Sequence, residues 1–224
     1  VPRVPAGLTP ITKPGTYSSG SINDGSCLVE SSKTPPVTHC RLGNIDLSGS
    51  NASINFDTSK GPMQLYLQCD PINNTPCSGP NISLSGAAGI KHCKDGNCST
   101  TTIDPTELAL FGNHARETTS CSQTVSLSGG SNATVMFAYL PDACGGINGG
   151  SSNPDLVGAL WLKSFGPIGS SSNRAELLVP DDMGARVFTR FGNSFALSIR
   201  DFVAIGINNW ASFQMPPPAS GMFR

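Results

Sequence analysis

The chain has 224 residues, only 13% of them Asp, Glu, Lys or Arg, and a net charge of −1. That balance argues against nucleic acid as a partner, since phosphate recognition needs a basic patch. No run approaches the ~20 apolar residues of a membrane-spanning helix. Gly 25 and Pro 18 call for many turns and little helix, while short apolar runs recur and supply a core, against disorder.

Residues 1–40 read as an irregular, Pro- and Gly-rich lead that opens "VPRVPAGLTP", a mature or trimmed start. Short alternating strands follow. "NIDLSGS" sends Ile45 and Leu47 one way and Asp46 and Ser48 the other, before Gly49 permits a bend. "SINF" (53–56), "MQLYLQC" (63–69), "NISLSG" (81–86), "ELALFG" (107–112), "ATVMFAYL" (133–140) and "LVGALWLKSF" (156–165) continue the alternation. One line is written three times, as IDLSG at 45–49, ISLSG at 82–86 and VSLSG at 125–129.

Leu47, Leu84 and Leu127 are thus 37 and 43 residues apart, which predicts about two coils of a β-solenoid per interval. In such a coil Leu fills a narrow core, Ser faces solvent and Gly turns the corner. The expected fold is all-β: a single elongated right-handed β-solenoid (β-helix-like) over 41–175 with a C-terminal cap. The cap, or a last coil, spans 176–213, and 214–224 is a tail. A β-sandwich is the alternative, since it too needs short alternating strands. Within the cap, "FALSIRDFVAIGINNW" (195–210) fits helix by spacing and strand by its β-branched residues, and strand is favoured.

Eight cysteines, an even number, imply an oxidising compartment. Neighbours in sequence suggest the bridges Cys27–Cys40, Cys69–Cys77, Cys93–Cys98 and Cys121–Cys144. Sequence alone leaves other connectivities open. Zinc on His92, Cys93 and Cys98 is the weaker reading, because no Cys-x-x-Cys occurs. Asn51, Asn73, Asn81, Asn97 and Asn132 each stand in Asn-x-Ser/Thr, a triplet that also arises by chance in so polar a chain.

"FDTSKG" (56–61) looks like one half of an aspartic-protease site, but that chemistry needs two carboxylates sharing a proton. Asp57 therefore reads as the start of a turn. His114, in "FGNHARE", reads as a solvated loop histidine. Asp181 and Asp182, with Arg186, are the only adjacent acidic pair, as polysaccharide cleavage would use. A turn or cap explains them better. No catalytic residue, metal or cofactor is assigned. Trp161 and Tyr139 are the candidate surface contacts.

Taken together, "IDLSGSNASINFDTSKGPMQLYLQCD", "NISLSGAAGI", "LALFGN", "VSLSGGSNATVMFAYLPDA" and "GGINGGSSNPDLVGALWLKSFG" resemble a known family over roughly 45–170. It is the β-solenoid-like C-terminal extracellular domain of PilX-type pilus-assembly and other type IV pilin-like bacterial proteins. Its strand lines correspond to Leu108–Gly112, Val135–Ala143 and Gly158–Ser164. The family's N-terminal hydrophobic helix is missing here, and the cysteine-bearing insertions depart from its general pattern. The resemblance implies an extracellular structural or adhesive subunit of a pilus or other surface filament, with other protein subunits as partners. The alternative is a carbohydrate-active β-solenoid that cleaves or binds polysaccharide.

Overall fold

The computed structural model describes residues 1–21, 25–49, 52–69, 78–86, 88–98, 101–116, 118–128, 133–148, 154–166 and 175–192. Fourteen strands are described: β1 Gly15–Ser18, β2 Cys27–Glu30, β3 Val37–Arg41, β4 Ile45–Ser48, β5 Ser53–Asp57, β6 Met63–Tyr66 and β7 Ile82–Ser85. They continue with β8 Gly89–Lys94, β9 Asn97–Cys98, β10 Leu108–Phe111, β11 Gln123–Ser128, β12 Thr134–Asn148, β13 Leu156–Phe165 and β14 Leu177–Leu178. One α-helix, α1, spans Met183–Phe191. The class is all-β, as expected. Residues 1–40, expected to be irregular, contribute β1, β2 and most of β3.

Nearly all strand pairs are parallel, and they form three stacks. In the first, β1, β5 and β8 lie side by side, with Ile54 on Ile90 and Phe56 on His92. The second runs β3, β6, β10, the first half of β12, then β13. The third runs β4, β7, β11 and the second half of β12. β12 belongs to two stacks because its register breaks between Leu140 and Cys144, at Pro141. Proline cannot donate to a ladder and is tolerated where a strand bends. Among the described strands only β2 on β3 and β9 on β8 are antiparallel.

The thrice-written line occupies one column. Ile45 sits on Ile82 and Leu47 on Leu84, while Val125 lies on Ile82. Between Leu47 and Leu84 the chain passes through β5 and β6 once before β7 pairs with β4, where two coils were expected. The extra length is spent in connections between strands, which periodicity does not count.

Alternation puts Leu47, Leu84 and Leu127 into a single core with Ile54, Phe56, Leu65, Leu110 and Ala138. Ser48 and Ser85 point to solvent. Close stacking also explains Gly158, whose φ is +134° and whose added Cβ would collide with the Met136 carbonyl oxygen. Three of the four expected disulfides are seen, Cys27–Cys40, Cys93–Cys98 and Cys121–Cys144. The first two directly join cross-strand neighbours. Cys69 is also disulfide-bonded, and Cys77 lies outside the described residues. So does the strand expected within 195–210.

Candidate functional site

A groove of about 730 Å³ opens beside the outward side of β3 and β6, within the size range of ligand sites. One wall is the β2–β3 hairpin, with Glu30, Lys33 and Pro35, and the other holds Lys94 and Glu107. The turn 58–62 and the end of α1, with Arg190 and Phe191, complete it. Alternation builds this place: the side chains of β3 and β6 that do not enter the core, His39, Gln64 and Tyr66, come together outside it.

These three side chains form a hydrogen-bonded row. His39 Nδ1 lies 2.8 Å from the Tyr66 hydroxyl, which donates to Gln64 Oε1 at 2.8 Å. His39 Nε2 lies 3.3 Å from Glu30 Oε2. That hydrogen bond, with smaller help from Ser32, Lys33 and the charge of His39, holds the Glu30 carboxyl below the usual range. Burial, and then the Glu30 charge, push the Tyr66 hydroxyl well above its ordinary value, so it stays protonated. Tyr66 also starts an aromatic row on this outward side. Its ring is 5.8 Å from Phe111, which is 5.7 Å from Phe191 of the helix. Phe191 in turn stacks on Phe137 at 5.5 Å.

The helix is held there by charge as well. Arg186 donates to Asp182 at 2.8 Å and reaches Asp104 at 3.5 Å, and Arg190 approaches Asp104 at 3.6 Å. Asp181 and Asp182 are exposed, and neither lines the groove.

On the far wall, Lys94 Nζ donates to both Glu107 oxygens at 2.8 Å. Beneath them Thr58 Oγ1 lies 2.9 Å from His92 Nε2, and His92 Nδ1 lies 3.0 Å from the Val135 carbonyl. The carbonyl can only accept, so Nδ1 carries the proton and Nε2 accepts from Thr58. Burial lowers the His92 pKa to about 4. Cys93 and Cys98 bond each other, so the zinc reading of His92, Cys93 and Cys98 finds no ligand set.

Asp57 Oδ1 accepts from the Ser59 N–H at 3.0 Å and from the Ser59 hydroxyl. This is the turn expected of it. His114 is exposed. Tyr139 and Trp161 are register neighbours, with rings 5.5 Å apart and both half-buried. They lie outside the groove.

Sequence reasoning missed Glu30, His39, Tyr66, Glu107 and a second charged cluster around Asp142. The Asp142 carboxylate is fully buried; it accepts from Arg116 Nε at 2.7 Å and from Lys163 Nζ at 2.9 Å. Burial raises its pKa, but hydrogen bonds from Ser122, Lys163 and Arg116 outweigh that and lower it. Lys163 also donates to the Arg116 and Ser120 carbonyls, pinning that loop. A signal was available. Asp142 and Lys163 are isolated charges inside apolar runs of a weakly charged chain, and a buried charge needs a partner.

No protein-family model, curated protein or solved structure matches the chain. Among the described residues, no helix is long and apolar enough to cross a membrane.

Proposed function

We propose that this chain is the body of an extracellular structural or adhesive subunit, associated with a pilus or another surface filament and built as a right-handed β-solenoid. The observation that carries the reading is the in-register column of Ile45, Ile82 and Val125 beside Leu47, Leu84 and Leu127. Successive circuits of the chain rest on one another there around one core. Handedness follows from the strong right-handed preference of crossovers between parallel strands. Disulfides favour an oxidising, extracellular setting. The resemblance to the C-terminal domain of PilX-type and other pilin-like proteins supplies the filament.

A solenoid presents its outward side chains as a surface, and here that surface includes a groove. The scaffold and the binding surface are thereby separate parts of one subunit. Filaments sheared from the surface of the producing cell test the reading: the chain should be present in them, by antibody labelling and mass spectrometry. Its recovery only from the medium or the cell interior would overturn the filament assignment. The rival, polysaccharide cleavage by Asp181 and Asp182, is tested by exchanging both for Asn. Turnover of a polysaccharide by the parent chain that disappears in the variant would establish it.

A further inference from the structure

We infer that the groove beside β3 and β6 is a binding site for an acidic oligosaccharide, one whose sugar rings carry carboxylates. The inference rests on the adhesive reading and gives it a ligand class.

The first ground is charge. The chain as a whole is net negative, yet four cations, Lys33, Lys60, Lys94 and Arg190, line the groove against two carboxylates, Glu30 and Glu107. Both carboxylates are already engaged, Glu30 by His39 and Glu107 by Lys94. Lys94 is spent on Glu107, but the other three cations are less committed. Lys33 is 3.9 Å from Glu30, beyond hydrogen-bond distance, and Arg190 is 3.6 Å from Asp104. Lys60 is exposed and makes no ion pair among the described residues. An arriving carboxylate therefore finds ammonium groups with open donors, at little desolvation cost on the rim.

The second ground is the floor. Sugar hydroxyls both donate and accept, and they suit a surface of fixed polar groups in which both kinds alternate. Gln64 is fixed by the Tyr66 hydroxyl on its oxygen, which leaves its amide N–H₂ to donate. Glu30 and Glu107 retain acceptor capacity, since a carboxylate takes about four hydrogen bonds. Glu30, His39, Tyr66 and Gln64 are tied to one another before any ligand arrives, so little order has to be imposed on binding. The largest apolar side chains of the lining, Tyr66, Met63 and Phe191, are buried, which leaves only Pro2, Pro35, Val37 and Pro62 as open apolar surface, and no deep pocket for a large anchor. That disfavours a peptide anchored by hydrophobic residues.

Calorimetric titration with tri-galacturonate, maltotriose and a short poly-glutamate peptide tests the inference. Tri-galacturonate should bind, and maltotriose should bind at least about tenfold more weakly, the loss expected for one or two exposed charge pairs. The double variant Lys33→Gln, Lys60→Gln should lose about tenfold in affinity for tri-galacturonate with its melting temperature unchanged, since both side chains are on the rim. Equal affinity for maltotriose, an unaffected double variant, or no binding of tri-galacturonate would each overturn the acidic-sugar assignment. Tighter binding of poly-glutamate would overturn it in favour of an acidic peptide. None of these results bears on whether the chain is found in filaments, so failure here and failure of the filament assignment are read separately.

Discussion

His92 shows how a residue's neighbours reassign it. In sequence it stands beside Cys93 and suggests a metal. In the fold it occupies a core column, paired in register with Phe56, so its ring is buried and kept neutral by burial. Its folded pKa, about 4, lies below the ordinary value near 6.5, so the unfolded chain takes up the proton first. Stability from this group is therefore complete above about pH 6.5 and is lost as the pH falls toward 4, by about 3 kcal/mol in all. Urea midpoints measured from pH 7.5 to 4 should show that fall in the parent and a flatter curve in His92→Gln. Identical curves would mean that His92 is not held neutral. Glu30, Asp104 and Asp142, all with lowered pKa values, lose their contributions at lower pH; His114, also lowered by burial, acts in this window in both proteins, so the difference between the two curves reports His92. The same reassignment befell "FDTSKG". Its Asp57 merely starts a turn, whereas Thr58, an unremarked hydroxyl, reaches His92 of the adjacent strand β8. Contacts between residues 34 apart leave no local pattern, so neither role was legible in the sequence.

Among the elements, the strands were legible and their corners were not. IDLSG, ISLSG and VSLSG alternate strictly, and the structure sets them in one column with their leucines in one core. Leu84→Ala should cost about 2–5 kcal/mol, as a packed leucine does; denaturation in urea measures it. The corners depend on buried amides. Gln123 Nε2 donates to the Leu67 and Pro80 carbonyls, while its oxygen accepts from the Asn113 N–H. Gln68 likewise donates to the Pro2 and Gly112 carbonyls and accepts from the Val4 N–H. These bonds satisfy backbone groups where ladders stop, as buried polar groups require. Gln123 opens β11 and Gln68 closes the run MQLYLQC, and alternation at a strand end does not tell a buried amide from a solvated one. Gln123→Leu keeps much of the volume but strands three backbone groups, and should lower unfolding free energy by at least about 1–3 kcal/mol, the cost of one unsatisfied buried group. A loss no larger than that of an exposed glutamine would show that water replaces the amide. Gly158→Ala should also destabilise, because its φ of +134° and the Met136 carbonyl leave no room for a Cβ.

At the scale of the whole stacked body, parallel ladders raise the question of how they end. An uncovered outer strand offers unpaired N–H and C=O groups on which another chain can add. The second stack is closed at its start by antiparallel β2, which the Cys27–Cys40 bridge fastens to β3. Among the described residues the third stack begins at β4, which pairs there only with β7. There the column that reads Ser83 and Ser126 on the inner rungs reads Asp46. Asp46 is exposed, and a second copy approaching by the same edge would bring a like charge against it. The copy of the repeated line that departs from Ser at its second position is the one at this edge, a difference the sequence displayed but only the register makes meaningful. Asp46→Thr should leave the core untouched, since the side chain does not enter it, and should promote association through β4. Sedimentation across a concentration series should find the variant forming dimers or larger species at concentrations where the parent does not. If the parent and the variant sediment alike, the edge is guarded by something other than Asp46.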